Sequence, residues 1–276
     1  MAITAQEVNK LRQMTGAGMM DCKKALTEAN GDFDAAIDLL RKKGQKVSAS
    51  RADRETTEGS VFVKTSDDNT EAVLIAFTCE TDFVAKNEEF IKLGNAIVES
   101  AFNTKVASVD DLMKNDLDGL TIVERITELV GKIGEKLEVS NMIMMTGEAI
   151  VPYIHAGSKL GVLVELKGVN GTDVTAAGKD VGMQIAAMNP VSVSEDDVDE
   201  ATKAKELEIG REQAIAEGKP ENIVDKIAQG KLQKFYKENT LLNQQFVKDN
   251  SVTVAKFLNT VNNGLTVASF KRVSIG

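Results

Sequence analysis

At 276 residues the chain is long enough for a real core and two or three structural units, and its 42% apolar and 27% charged residues are the proportions of an ordinary globular protein. The net charge of −9 is uneven: residues 1–54 hold ten Lys/Arg against seven Asp/Glu, the remainder 23 against 35, so most of the surface would repel a phosphate backbone, and the basic stretch 41–54 has no interleaved aromatics to stack on bases. Direct nucleic-acid binding is therefore not expected; nor are a metal or a membrane, because Cys22 and Cys79 lack ligand spacing and no apolar run is long enough to span a bilayer.

The opening MAITAQEVNKL reads as a helix start rather than a secretory leader, and reduced, half-buried thiols fit a cytoplasmic location. Thr4 with Glu7 makes a capping box before Val8, Leu11 and Met14. Thr15-Gly16-Ala17-Gly18 stops that helix, and Met19, Cys22, Leu26 and Ala29 mark a second, ended by Asn30-Gly31. Asp32 caps a third, with Phe33, Ala36, Ile37 and Leu40 inward and Gly44 beyond its end. This predicts a three-helix unit over 1–44 and a polar linker over 45–58.

From Gly59 the period changes to that of strands. Residues 60–64 and 72–79 read as a hairpin around Ser66-Asp67-Asp68-Asn69, followed by a helix over 85–102 and two more over 109–115 and 119–134. Strands are then expected at 142–148, 150–156 and 161–167, with a helix over 173–188 carrying Val174, Ala177, Val181, Ile185 and Met188. Two strands, a turn and an apolar-faced helix thus occur twice, about ninety residues apart, as in two related α+β halves. The expected halves are 59–140 and 141–193 with 241–276. Inserted in the second half, 194–240 reads as a helical hairpin broken at Glu217-Gly218-Lys219-Pro220, with Ile223, Val224, Ile227, Ala228, Leu232 and Phe235 as the stripe of its second helix. The chain finishes on a predicted strand over 268–275.

No enzyme is visible. His155 is the single histidine and has no triad partners in a recognisable motif. The glycines at 16 and 18 lack the preceding strand and the Gly-Lys-Ser/Thr of a phosphate loop. Glu195-Asp196-Asp197 sits at a helix start, where acidic side chains need no catalytic role. What stands out is Cys79-Glu80-Thr81-Asp82-Phe83-Val84-Ala85-Lys86, between a strand and a helix. Asp82 suits an N-terminal turn. Phe83 either staples under its own helix or stands out as an anchor for a partner.

The string Leu11-Arg12-x-x-Thr15-Gly16-Ala17-Gly18-Met19-Met20-Asp21-Cys22-Lys23-Lys24-Ala25-Leu26 resembles the N-terminal signature of the elongation factor Ts family. Thr81-Asp82-Phe83-Val84-Ala85, Lys132-Ile133-Gly134-Glu135 and the stretch from His155 to Val164 resemble three further signatures in family order. The resemblance implies an α+β fold: an N-terminal three-helix ubiquitin-associated-like domain, a core of two similar α+β subdomains with antiparallel sheets, and an inserted helical hairpin. It implies a non-enzymatic guanine-nucleotide exchange factor for the GTPase elongation factor Tu, without cofactor or metal. In that reading Thr81, Asp82, Phe83 and Val84 form the element that disturbs the partner's Mg²⁺ and phosphate site. Arg12, Met19, Met20, Lys23, Ile133, Gly134, His155 and Val247 become further partner contacts. Lys248 departs from the pattern, since a methionine can stand there. Some relatives also continue into a C-terminal helix beyond the last strand, which shifts the expected contacts here toward Asp82, Phe83 and the N-terminal helices. The alternative is a scaffold protein that uses the three-helix domain without affecting nucleotide. Whether two copies pair through 194–240 is left open.

Overall fold

The computed structural model describes residues 3–276. Three helices lead: α1 (Ala5–Thr15), α2 (Met19–Glu28) and α3 (Phe33–Ser50). The first half of the core follows with β1 (Glu58–Thr65), β2 (Glu71–Cys79), the single turn α4 (Asp82–Ala85), α5 (Glu88–Thr104) and α6 (Val109–Leu112). A small hairpin, β3 (Asp116–Leu117) and β4 (Leu120–Thr121), leads into α7 (Ile122–Ile133) and β5 (Leu137–Thr146). Next come β6 (Ala149–Ile154), β7 (Leu160–Lys167), α8 (Thr175–Met188) and the long pair α9 (Glu200–Ala216) and α10 (Glu221–Asn239). The chain ends through β8 (Gln245–Phe246), β9 (Asp249–Thr253), α11 (Val254–Val261) and β10 (Thr266–Ser274).

Two three-stranded antiparallel sheets organise the core, in the orders β1-β2-β5 and β10-β7-β6. In each, the second strand of a hairpin is central and the third strand arrives after a helix, so both share one topology. The duplication of pattern read in the sequence is therefore present, with one correction. Of the strand expected over 142–148 to open the second half, residues 142–146 belong to β5, which pairs with β2 from Cys79↔Leu137 to Glu71↔Thr146.

Side-chain alternation on β2 explains the layering. Val73, Ile75, Phe77 and Cys79 point to a core shared with α5 and α7. Ala72, Leu74 and Ala76 point the other way, onto Ile150, Leu163 and Val273 of the second sheet and Ile275 just past its end. In the same manner β7 sends Val162, Val164 and Leu166 toward α8 and α11. The sheets thus pack face to face with helices outside. Gly161 permits the closest approach, since a Cβ there would collide with the side chains of Val61 and Leu74.

α1 opens on the expected capping box, Thr4 Oγ1 accepting from the Glu7 N–H while the Glu7 carboxylate accepts from the Thr4 N–H. Val8, Leu11, Cys22, Ala25, Leu26 and Ala36 close the small N-terminal core. Cys22 and Cys79 are fully buried rather than half-buried. Gly44 does not stop the third helix, and the stretch expected as a linker from residue 45 is helical to Ser50. Gly44 is buried at the crossing of α3 and α7: a Cβ on it would lie 2.9 Å from the Thr127 carbonyl oxygen, and one on Gly131 would lie 2.8 Å from the Gly44 Cα. Paired glycines let the two helix backbones meet, which outweighs the roughly 1 kcal/mol that glycine costs inside a helix.

The helix expected over 85–102 is two elements, because Asn87 accepts from the Glu89 and Phe90 N–H groups and caps α5 afresh. α9 and α10 form the expected antiparallel hairpin, with Val224, Ala228 and Leu232 buried and Gly210 packed on Ala228. Ile223 faces solvent, and Tyr236 takes an inward position on that stripe.

Candidate functional site

β2 is buried from Ala72 through its last residue, Cys79, and then delivers the chain to the surface. Thr81 stands in extended backbone before α4 and its side chain does not cap that turn. α4 closes only one helical turn, so consecutive side chains diverge sharply. Val84 is 7% exposed and joins the first core, whereas Phe83 is 82% exposed. The staple reading therefore goes to Val84 and the anchor reading to Phe83. Asp82 is exposed and pairs with Lys86 at 2.7 Å. The hydrogen bond from Lys86, and then its charge, hold the Asp82 carboxyl below the usual carboxylate range.

Beneath this turn two carboxylates tie 80–81 to 135–136. Glu135 accepts from the Thr81 N–H at 3.0 Å and from the Thr81 hydroxyl at 2.7 Å. Glu80 accepts from the Lys136 N–H at 2.7 Å and from the Arg51 guanidinium at 3.0 and 3.3 Å. The Cys79 thiol donates to the Thr81 carbonyl at 3.1 Å. Burial first, then the charges of Glu135 and Glu58, push the thiol up to about 12. Cys79, Glu80, Thr81 and Glu135 all lie within stretches that the sequence marks, but no spacing rule pairs Glu135 with Thr81 across 54 residues.

Ile133 and Gly134 are consequently held beside the 81–84 turn. Ile133 packs on the first core, and Gly134 ends α7 at φ +82, a left-handed conformation that suits glycine. The α1–α2 turn docks on the same end of α7, because a Cβ on Gly16 would run into the Lys132 side chain. Flanking that turn, Met19 is 55% and Met20 75% exposed, and Arg12 and Lys23 are also exposed. Met14, expected to face the helical core, instead edges the cleft between the N-terminal helices and α7.

His155 lies on the exposed β6–β7 turn, its Nδ1 3.0 Å from the Tyr153 hydroxyl. That turn reaches the same end of the core: Lys159 pairs with Glu58 at 2.9 Å, and Glu58 is the register partner of Cys79. Val247 is held separately. Its N–H donates at 2.8 Å to Gln184, a fully buried side chain on α8 that also donates to Gln244 and to the Gln245 carbonyl. A Cβ on Gly178 or Gly182 would meet Val151 or Tyr153, so α8 runs parallel to β6 and Gln184 lies toward the His155 end. Sequence reasoning missed Gln184, since a polar residue on an amphipathic helix gives no sign of being buried.

Among the described residues no group of three His, Cys, Asp or Glu side chains is placed to hold a metal ion, and no helix is long and apolar enough to cross a membrane. What the surface offers is an exposed aromatic with a carboxylate beside it on a rigid mount, together with exposed methionines and cations. Such an arrangement suits docking into another protein.

The family model described as Elongation factor TS matches residues 80–276. Among similar proteins, an elongation factor Ts from Amoebophilus asiaticus is 56% identical over 276 residues, covering 100% of both chains. One from Cytophaga hutchinsonii is 56% identical over 274 residues, covering 99% of each. A more distant one, from Clostridium perfringens, is 44% identical and covers 99% of this chain and 93% of its own. With the 81–84 turn inside the matched region and identity running end to end, the chain belongs to the elongation factor Ts family.

Proposed function

We propose that the chain binds the GTPase elongation factor Tu in its GDP-bound form and promotes exchange of GDP for GTP, acting by protein–protein binding and making no covalent bond. The observation that carries this reading is the outward Phe83 beside Asp82, on a turn whose next residue is locked into the core. The occupant of such a plug is a pocket on another protein, and the family supplies the partner.

In this reading Phe83 inserts between two helices of the GTPase's nucleotide-binding domain, and Asp82 enters with it. The insertion shifts groups that hold Mg²⁺ and phosphate. By linkage, a factor that binds the nucleotide-free GTPase more tightly than the GDP form weakens GDP by the same factor. Burying one aromatic side chain contributes roughly 2–3 kcal/mol, and each 1.4 kcal/mol is about tenfold in an equilibrium. Spread over several contacts, that is enough to offset part of the GDP and Mg²⁺ binding energy. Arg12, Met19, Met20 and Lys23 would hold the N-terminal helices on the same GTPase domain, with Ile133, Gly134 and His155 bordering the plug and Val247 reaching a separate surface of the partner.

The test is release of a fluorescent GDP from the GTPase after mixing with the chain and excess unlabelled nucleotide. Release should accelerate with the concentration of the chain until it saturates. Binding without acceleration would leave a scaffold and contradict the proposal.

A further inference from the structure

We infer that Glu135, with Glu80 opposite, braces the 81–84 turn and sets the aim of Phe83, which makes Glu135 a positioning residue for nucleotide release; the inference rests on the reading of Phe83 as the plug. α4 is a single turn, and one isolated helical turn is too costly to nucleate to hold itself. Phe83 has no burial of its own to fix its direction. Its orientation is therefore decided by the backbone on either side. Downstream, Val84 is anchored in the core. Upstream, Thr81 is the last residue before the turn, and its hydroxyl and N–H both go to Glu135.

The brace has two arms that run in opposite directions between the same two segments. Glu135 reaches from the 133–136 segment to the backbone and side chain of Thr81. Glu80 reaches back to the Lys136 N–H. Gly134 turns the chain through its left-handed conformation immediately before Glu135. Arg51, at the C-terminal cap of α3, grips the Glu80 carboxylate. The helix that carries the N-terminal unit is thereby wired to the mount of the plug. Hydrogen bonds that involve an ionised partner are shorter and stronger than neutral ones, and a plug fixed before docking loses less freedom when it enters its pocket.

A carboxylate that merely holds the fold and one that aims Phe83 are separated by a double-mutant cycle. Maximal stimulated GDP release is measured for the wild type, Glu135→Gln, Phe83→Ala and the double variant, with thermal unfolding alongside. Glu135→Gln keeps the shape and gives up one accepted hydrogen bond. The brace predicts release slowed roughly fivefold in the wild-type background and by less than about twofold on Phe83→Ala, the signature of coupled residues. Equal losses in both backgrounds, or no loss from Glu135→Gln while Phe83→Ala is slow, would overturn the brace. If Phe83→Ala itself leaves release unchanged, the plug fails first and the brace with it, a result distinct from a Glu135 variant that alone has no effect. Should Glu135→Gln not fold, Thr81→Val makes the same cycle from the other side, with Thr81→Ser, which keeps the hydroxyl, expected to restore release.

Discussion

Phe83 and Val84 are neighbours in the chain with opposite surroundings, the ring 82% exposed and the isopropyl group 7% exposed within the core of the first sheet. Their stability effects should be equally opposed. Phe83→Ala should leave the thermal midpoint within about a degree of wild type, because surface truncations away from special features change little. Val84→Ala should cost about 2 kcal/mol, from lost transfer energy and the cavity left behind. Calorimetry on the two variants checks both.

Gly134 tests the conformation on which the brace depends. A Cβ there meets nothing within 4 Å, so any penalty comes from the backbone alone at φ +82. Gly134→Ala should destabilise the chain by about 1–2 kcal/mol, the cost of a left-handed conformation for a residue with a side chain. A shift in the urea midpoint with unchanged slope would confirm it.

Cys79 gives a pH dependence with a definite sign. Its thiol is raised in the fold from 9.0 to about 12, because burial and the nearby Glu135 and Glu58 carboxylates disfavour the thiolate. The neutral thiol is the form the fold holds, so its contribution is fully present below pH 9 and is lost as pH rises from there toward 12. Iodoacetamide at pH 8 should leave Cys79 unlabelled in the native chain and label it in denaturant, as read by mass spectrometry. The denaturation midpoint should fall as the buffer is taken above pH 9.

Gln184 predicts a local loosening. Replacing it by Leu removes the acceptor for the Val247 N–H and the donor to Gln244 and the Gln245 carbonyl. Buried groups left without partners cost about 1–3 kcal/mol each. Hydrogen exchange over 244–247 should speed markedly while exchange in β2 stays slow.

The parts of the fold legible in the sequence are those set by near neighbours. Thr4 and Glu7 cap α1 through a three-residue spacing, and the 217–220 break divides α9 from α10 as glycine and proline dictate. Pairings between distant segments carry no such mark. Nothing in the sequence of β5 names its partner, and only its long register with β2 places it in the first sheet. Gly44 has the look of a helix stop, yet its lack of a side chain serves the contact with Gly131, a relationship across 87 residues. At the site, the signatures find Phe83 but leave its direction open between core and solvent, because a one-turn helix settles that question residue by residue. Glu135 and Gln184 act by reaching backbone groups far away in sequence, which periodicity does not reveal.

The central claim, that Phe83 is the element that drives nucleotide out of the partner, is tested most directly by the maximal rate of stimulated GDP release at saturating Phe83→Ala chain. A ring contributing roughly 2–3 kcal/mol to the nucleotide-free complex predicts a loss of at least about tenfold with the fold intact. A Phe83→Ala chain that folds, saturates the GTPase and releases GDP at the wild-type rate would contradict the account.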